Sequence, residues 1–255
     1  MKIFDNIFVS ADASIVAEDD FLVLMDAGCE AKTREDVLRL SKQTGKQVKY
    51  VFLTHSHWDH THNVKFFKKK FPAMEIINSG TKKKFNKTTR MKLGNSVYTI
   101  MPTPGHSPSG NDICIYLEEK KILFTGDTCQ PQGPDYHHTD FSTPVPYYHD
   151  GDAFIKSLKK LLKLEINHVI TGHGTVFHKS ALEVTLHATE RIKELTMAAK
   201  NSRTNNYMIC KSIFEQVSKE RNFHGVQHRL KDPYYKECDI YSLMYWVKKF
   251  KGQRK

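Results

Sequence analysis

The feature that most constrains this sequence is a dense group of ligand-type side chains directly after an apolar run. His55, His57, Asp59 and His60 follow residues 48–53, a run typical of a buried strand. Side chains two positions apart lie on the same side of extended backbone, so His55 and His57 can converge on one ion. Asp59 and His60 come where the pattern becomes helical, and we expect them to face a second point nearby. Imidazoles and a carboxylate this close together form a ligand set that suits zinc or iron.

Three more ligand candidates repeat this arrangement further along the chain. His106, Asp127 and His173 each stand just past the end of an apolar, strand-like run. Strand ends on one edge of a sheet bring such residues together, and the loops there commonly carry function. Glycines flank all three, as expected where the backbone turns sharply or closely approaches another segment: Gly105, Gly126, Gly172 and Gly174. The pattern therefore predicts one site built from all of these side chains.

Length and composition indicate an ordinary globular protein. The chain has 255 residues, of which 39% are hydrophobic and 26% are charged, enough for one large domain or for a domain with an appendage. No apolar run approaches the roughly 20 residues that cross a membrane, and the N-terminus lacks the features of a signal peptide. The five cysteines are scattered and form no CxxC pair, which fits a reducing compartment. We therefore expect a cytoplasmic protein with no membrane partner.

The net charge of +11 favours anionic partners. Such a charge suits RNA, single-stranded nucleic acid or phosphorylated small molecules. A lysine-rich, well-solvated surface explains the same charge without any such partner, so both interpretations stay open. The lysines cluster at residues 68–70, 82–84 and 159–160 and in the tail, residues 248–255.

The remaining pattern places these motifs on an α/β scaffold. Strand-like runs alternate with helical stretches up to residue 180, and the remainder is mostly helical in pattern. Residues 130–150 are rich in Pro, Gly, Tyr and His without periodicity, and so long a loop is usually functional. We predict a catalytic domain over residues 1–180 and a helical C-terminal extension, residues 181–255, packed on it. The predicted strands cover residues 3–10, 14–17, 21–25, 48–53, 75–77, 96–101, 113–117, 122–124 and 168–170.

Five motifs together resemble the ordered motifs of the metallo-β-lactamase superfamily. They are residues 25–28 (MDAG), 54–60 (THSHWDH), 103–107 (TPGHS), 124–128 (FTGDT) and 171–174 (TGHG). The resemblance covers roughly residues 1–180. It implies an α/β fold, the four-layer αββα sandwich of that superfamily, with two divalent metal ions at one edge.

The resemblance also implies a role for each candidate ligand. The first metal ion takes three histidines, His55, His57 and His106. The second takes Asp59, His60 and His173, and Asp127 bridges the two ions. Asp26 is expected to orient one of the ligand imidazoles, and an acid that simply stabilises a turn is the competing interpretation. Zinc is the favoured metal, with iron and manganese as alternatives, because His and Asp side chains bind all three.

The chemistry that follows is hydrolysis by a hydroxide that bridges two cations about 3.5–4 Å apart. Asp59 and Asp127 are the catalytic candidates. Asp127 is the expected bridge between the cations, and Asp59 can also accept a hydrogen bond that orients the nucleophile. Class B lactamases of the superfamily carry a cysteine in place of Asp127. We therefore expect hydrolysis of β-lactams as a weak side activity at most.

The loop at residues 135–140 and the helical tail resemble the glyoxalase II-like and lactamase-like endoribonuclease groups. We predict a small ester, thioester or lactone as the substrate, because an excess of lysine is common and the sequence shows no stripe of aromatic and basic residues suited to nucleic acid. A nucleic-acid phosphodiesterase, favoured by the charge, is one alternative, and a mono-iron sulfur dioxygenase on the same scaffold is another. His62 stands where many members have glycine. The candidates for the substrate pocket are His62, His137 and His138.

Overall fold

The computed structural model describes residues 2–78, 85–133, 143–224, 230–231 and 238–251. The chain forms two compact units, of which the first contains Met1–Thr128 and Glu165–Lys179 and the second contains Cys129–Leu164 and Ser180–Lys255. The domain division predicted after residue 180 stays a prediction. The second unit takes up the C-terminal helices from Ser180 onward and also residues 129–164.

Among the described residues of the first unit, the N-terminal strands form one of two six-stranded sheets. In spatial order these are β1 (Lys2–Phe4), β2 (Ile7–Val9), β3 (Ser14–Ala17), β4 (Phe21–Met25), β5 (Gln47–Leu53) and β6 (Glu75–Asn78). The pairs β4–β5 and β5–β6 are parallel, and the others are antiparallel. Parallel neighbours need crossover connections, which here contain the helices α1 (Ala31–Thr44), α2 (Trp58–Thr61) and α3 (Val64–Lys70).

The second sheet follows along the chain. Its strands are β7 (Thr89–Leu93), β8 (Ser96–Pro102), β9 (Ile113–Leu117), β10 (Ile122–Gly126), β11 (His168–Thr171) and β12 (Val176–Phe177). They pair in the order β12-β11-β10-β9-β8-β7. The β10–β11 pair is parallel and the remaining pairs are antiparallel. A short 3-10 helix, Glu118–Lys120, lies between β9 and β10.

Two apolar layers bury the first sheet. On one face, Val23 and Phe52 pack against side chains of the second sheet, and the Phe52 ring stacks on Tyr98 with centroids 5.6 Å apart. On the other face, Leu24 packs with side chains of α1 and α3, including Phe67. Alternate residues of one strand thus face opposite layers, as the two-residue period of a strand requires. One layer of the core therefore lies between the two sheets, and the other lies between the first sheet and the helices α1 and α3.

In its described residues the second unit contains the helices α4 (Gly151–Leu161), α5 (Ser180–Ala198), α6 (Asn206–Glu220) and α7 (Ile240–Lys251). Asp150 caps α4 by accepting a hydrogen bond from the Ala153 amide at 3.0 Å. The buried Trp246 of α7 donates its indole N–H to the Tyr148 hydroxyl at 2.9 Å. A Cβ atom at Gly151 would lie 2.4 Å from the Trp246 ring, so the first turn of α4 needs glycine there.

The observed elements agree with the α/β class expected from the sequence. The run at residues 3–10 forms two strands with a turn between them, and β7 and β12 lie where the pattern predicted no strand. β7 is an edge strand on which exposed and half-buried residues alternate, so it lacks the apolar run of its neighbours. None of the described helices combines the length and apolar character needed to cross a membrane.

Candidate metal centre

The ligand candidates all follow strands of the first unit, and their side chains come together at one edge. Those from the first sheet follow β5, and those from the second follow β8, β10 and β11. The side chains form two clusters. We call His55, His57, His106 and Asp127 the first cluster, and Asp59, His60, Asp127 and His173 the second cluster. Asp127 belongs to both.

In the first cluster, three imidazole nitrogens face one another. His55 Nε2 lies 2.9 Å from His57 Nδ1, which lies 3.1 Å from His106 Nε2. Asp127 Oδ2 lies 3.5 Å from His106 Nε2 and 4.0 Å from His55 Nε2. Three nitrogens and one oxygen therefore surround a common point.

In the second cluster, two imidazoles face two carboxylates. His60 Nε2 lies 3.3 Å from Asp127 Oδ1 and 3.6 Å from Asp59 Oδ2. His173 Nε2 lies 3.6 Å from the same Asp59 oxygen and 3.5 Å from Asp127 Oδ2. The arrangement again leaves one common point between the ligand atoms of four residues.

These spacings fit divalent cations. Nitrogens bound to a tetrahedral zinc ion at about 2.0–2.1 Å lie about 3.3 Å apart, and the ligand-atom distances in both clusters scatter around that value. His60 Nε2 is buried and makes no hydrogen bond of acceptable geometry, although Asp127 Oδ1 is near. A buried imidazole nitrogen without such a partner is costly, and a metal ion at the common point would satisfy it.

Two imidazoles of the first cluster, those of His55 and His57, are kept neutral by burial and by neighbouring imidazoles. Burial, followed by the neighbouring imidazoles of His60 and His106, holds the pKa of His55 well below its usual value. Burial and then His106 lower the pKa of His57 to about 4. Neutral imidazole is the form that binds a metal ion, because its lone pair is not protonated.

In the second cluster, by contrast, the pKa values of the two imidazoles are raised. Burial is the largest influence on His60 and lowers its pKa, but Asp127 and Asp26 outweigh it and raise the pKa well above the usual value. The pKa of His173 is likewise raised, against burial, chiefly by Asp127. The pKa of Asp127 is well below its usual range, because His60 and His173 outweigh its burial. These imidazoles and carboxylates attract positive charge, either a proton or a metal ion.

Asp26 lies in the position that its predicted orienting role requires. Its Oδ2 lies 2.9 Å from His60 Nδ1, so the opposite nitrogen of that ring faces the second cluster. The residue has a φ of 63°, in the left-handed region that few residues other than glycine adopt. Its backbone N–H donates to Phe52 O at 2.8 Å, which ties the turn after β4 to β5.

Sequence reasoning missed two residues that fix the site. The Asp112 carboxylate accepts hydrogen bonds from the amides of Gly105 and His106 at 3.0 and 3.1 Å and from that of Ser107, so it holds the loop that carries His106. The Thr54 hydroxyl lies between Asp26 and His55. Thr54 lies within a recognised motif, whereas Asp112 follows a polar turn that has no distinctive pattern.

The predicted pocket histidines lie outside both clusters or outside the described residues. His62 is exposed, and its ring packs against Trp58 at a centroid distance of 4.7 Å. Trp58 itself is 64% exposed. His137 and His138 fall outside the described residues. A role in substrate binding stays a prediction for all three histidines.

A third group of ligand-type residues, Asp12, Cys29 and Glu30, has a structural explanation. Asp12 Oδ2 accepts hydrogen bonds from the amides of Cys29 and Glu30 at 2.6 and 2.8 Å, and Asp12 Oδ1 accepts one from Thr33. Burial and then Asp12 raise the pKa of the Cys29 thiol to about 12, so the thiolate that would bind a metal is disfavoured. The group anchors the start of α1.

Comparison with known proteins agrees with the fold and the motifs. The sequence model of the Metallo-beta-lactamase superfamily matches residues 7–97 and 92–173. Among solved structures, the metallo-beta-lactamase from Pontibacter korlensis superposes with a TM-score of 0.61 at 18% identity, over 74% of this chain and 97% of that one. The predicted fold class, a two-sheet sandwich with a helical C-terminal part, is therefore confirmed.

The curated relatives match this chain over only part of their own length. An atrochrysone carboxyl ACP thioesterase from Aspergillus fumigatus is 26% identical over 64% of this chain and 50% of its own length. Hydroxyacylglutathione hydrolases from Chelativorans sp. and Brucella ovis are 29% and 27% identical, over 56% and 64% of this chain and 55% and 64% of their own lengths. The chain thus spans between half and two thirds of the relatives that it matches.

Proposed function

We propose that this chain, which belongs to the metallo-beta-lactamase superfamily, is a hydrolase that uses two divalent cations, with zinc favoured, to cleave a small ester, thioester or lactone. The observation that carries the proposal is that Asp127 belongs to both clusters. Its Oδ1 lies 3.3 Å from His60 Nε2, and its Oδ2 lies 3.5 Å from His106 Nε2. A carboxylate in that position can hold two ions close together.

In this proposal each cluster holds one ion through the residues that define it. Two bound cations would supply Lewis acidity towards a substrate oxygen and would lower the pKa of water. Asp59 is the residue of this chain best placed to orient the attacking water, because its side chain is 27% exposed whereas that of His60 is 1% exposed. Asp26 and Asp112 would keep the ligands in place without touching substrate.

The names of the relatives favour a thioester over the other small substrates. One relative is named as a thioesterase and others as hydrolases of hydroxyacylglutathione. Both names describe cleavage of a carbonyl–sulfur bond. We therefore rank a thioester first for this chain, and we rank esters and lactones after it.

Metal content and substrate choice test the proposal together. We expect about two zinc ions per folded chain, because seven ligands are too many for one ion with an open position. The zinc-loaded protein should cleave thioesters or lactones faster than bis-phosphoesters or RNA, and chelation followed by zinc should remove and restore that activity. A folded, fully loaded protein with one metal ion per chain would contradict the two-ion mechanism. One iron per chain with oxygen uptake would instead identify a sulfur dioxygenase.

A nucleic-acid phosphodiesterase is the second candidate, and the net charge of +11 favours it. Several lysines of the predicted basic clusters already make contacts within the chain. Lys68 Nζ donates to Pro72 O at 2.8 Å, Lys249 pairs with Asp152, and Lys251 Nζ donates to Thr204 O at 2.9 Å. The Asp152 carboxylate offsets the charge of Lys249, and the two carbonyl contacts occupy ammonium donors that a phosphate would need, which is why we rank the small substrate first. Residues 82–84 and 252–255 lie outside the described residues.

Salt dependence separates the two candidates. If RNA is the substrate, its binding should weaken by about tenfold or more between roughly 50 and 200 mM salt, because phosphate contacts release counterions. The Lys69→Glu/Lys70→Glu variant should weaken RNA binding as well, since both side chains are exposed on α3. For a neutral thioester we expect KM to be nearly unchanged by salt and by this variant. RNA cleavage that responds to both changes, alongside slow thioester turnover, would reverse our ranking.

A further inference from the structure

We propose that Thr54 is a positioning residue that sets the proton position on His55 and links the two clusters through Asp26. This inference rests on the proposed function, because it concerns the same two metal positions. It goes beyond the ligand set by naming what orients an imidazole of the first cluster. Without Thr54, the contact between Asp26 and His60 would orient a ligand of the second cluster only.

The geometry is a short chain of buried polar atoms. Thr54 Oγ1 lies 2.8 Å from Asp26 Oδ2 and 3.0 Å from His55 Nδ1. The Thr54 backbone N–H also donates to Asp26 Oδ1 at 2.8 Å. All three side chains are at most 2% exposed, so water does not offer an alternative partner.

Counting hydrogens assigns the direction of each bond. The Asp26 carboxylate accepts hydrogen bonds, and a hydroxyl carries one hydrogen. Thr54 must donate that hydrogen to Asp26, since two oxygens 2.8 Å apart with no hydrogen between them would repel. Thr54 Oγ1 is then left as an acceptor for His55, so His55 Nδ1 carries the ring hydrogen. The lone pair of His55 therefore lies on Nε2, the nitrogen that faces the first cluster.

Asp26 acts on both clusters through this arrangement. It accepts the Nδ1 hydrogen of His60 directly, at 2.9 Å, and it fixes His55 through the Thr54 hydroxyl. The Asp26 carboxylate thus keeps the ring hydrogen of both His55 and His60 on Nδ1. The Nε2 lone pair of each ring is then free to face the metal position. The link is asymmetric, because loss of the Thr54 hydroxyl disconnects His55 and leaves the Asp26–His60 contact in place.

Packing holds the Thr54 side chain in the required rotamer. Gly126 of the second sheet lies so close that a Cβ atom there would be 2.3 Å from Thr54 Oγ1 and 3.1 Å from Cγ2. The Thr54 carbonyl also accepts a hydrogen bond from the Ile113 amide at 2.9 Å. The hydroxyl therefore has little freedom to turn away from Asp26 and His55.

The test compares Thr54→Val, which keeps the shape and removes the hydroxyl, with Thr54→Ser, which keeps the hydroxyl. Thr33→Val is the matched control, because Thr33 is a buried threonine that donates to Asp12 and lies outside both clusters. In the metal-free protein, long-range ¹H–¹⁵N correlations of the histidine rings report which nitrogen carries the hydrogen. A His55→Gln spectrum identifies the His55 signals.

We expect His55 to carry its hydrogen on Nδ1 in the unsubstituted protein and in Thr54→Ser and Thr33→Val, but not uniformly in Thr54→Val. In stepwise zinc titrations, Thr54→Val should weaken one of the two sites by about 10–100-fold and change the other by less than about threefold. Asp26→Asn should weaken both. Thr54→Ser should restore most of the affinity.

Unchanged His55 signals and unchanged zinc affinities in Thr54→Val would refute the inference. An equal loss at both sites, or a similar loss in Thr33→Val, would also refute it, because either result indicates general loosening of the fold. The ring spectra need neither metal nor turnover. A protein that shows the expected spectra and affinities but cleaves no substrate would support the link while refuting the proposed hydrolase.

Discussion

Replacing Asp127 with alanine is expected to lower hydrolytic activity by several orders of magnitude and to release at least one of two bound ions. The reason is that its carboxylate belongs to both clusters, with oxygens 3.3 Å from His60 Nε2 and 3.5 Å from His106 Nε2. The fold should persist, because the core is supplied by the two sheets. Metal analysis, turnover and circular dichroism of the same preparation measure these three effects.

Asp36→Ala is the control for this substitution. Asp36 is a largely buried aspartate on α1 that pairs with Lys32 and Arg39 and accepts a hydrogen bond from Ser10. Its removal should cost stability without releasing metal from the loaded protein. If Asp127→Ala kept near-native turnover with both ions bound, the bridging role assigned to Asp127 would be wrong.

The second large effect is expected from Gly172→Ala. A Cβ atom at this position would lie 2.4 Å from His60 Cε1 and 2.7 Å from Asp127 Oδ1. His60 cannot easily retreat, because it is buried and its Nδ1 contacts Asp26. We expect the second cluster to lose its ion and activity to fall by at least about 100-fold, with a cost in stability of about 1–3 kcal/mol from overpacking.

Gly45→Ala separates crowding of the site from the general effect of replacing a glycine. Gly45 ends α1 with a φ of 72°, and a Cβ atom there would meet nothing within 4 Å. The substitution should cost about 1 kcal/mol of stability through its backbone conformation and leave metal content unchanged. Retention of both ions and of full activity in Gly172→Ala would show that the second cluster tolerates a displaced His60.

The sequence was sufficient to predict which ligand candidates come together, for a simple physical reason. Each candidate stands directly after an apolar strand, and strand ends at one edge of a sheet are neighbours in space. His106 and His173 are far apart in the sequence, yet the same rule places both at the edge where His57 lies. Their metal-binding roles remain part of the proposal.

The residues that support the ligands could not be read in the same way. Asp112 follows a polar turn, and its role depends on three amide groups that point to it only after the loop has folded. The positive φ of Asp26 is a backbone property that no pattern of residues predicts. The edge strand β7 was missed because it buries little apolar surface, and β12 because it is two residues long.

The contact between Gly126 and Thr54 has a consequence for the stability of the whole first unit. It marks the place where the two sheets meet, and the first cluster takes two histidines from the first sheet and one from the second. An ion held there would act as a cross-link between His57 and His106, which are 49 positions apart in the chain. The unfolded chain does not hold these ligands together, so the free energy of binding the ion adds to the free energy of folding. Chelation should therefore lower the unfolding temperature of both sheets together, and the loaded protein should resist proteolysis along residues distant from either ion.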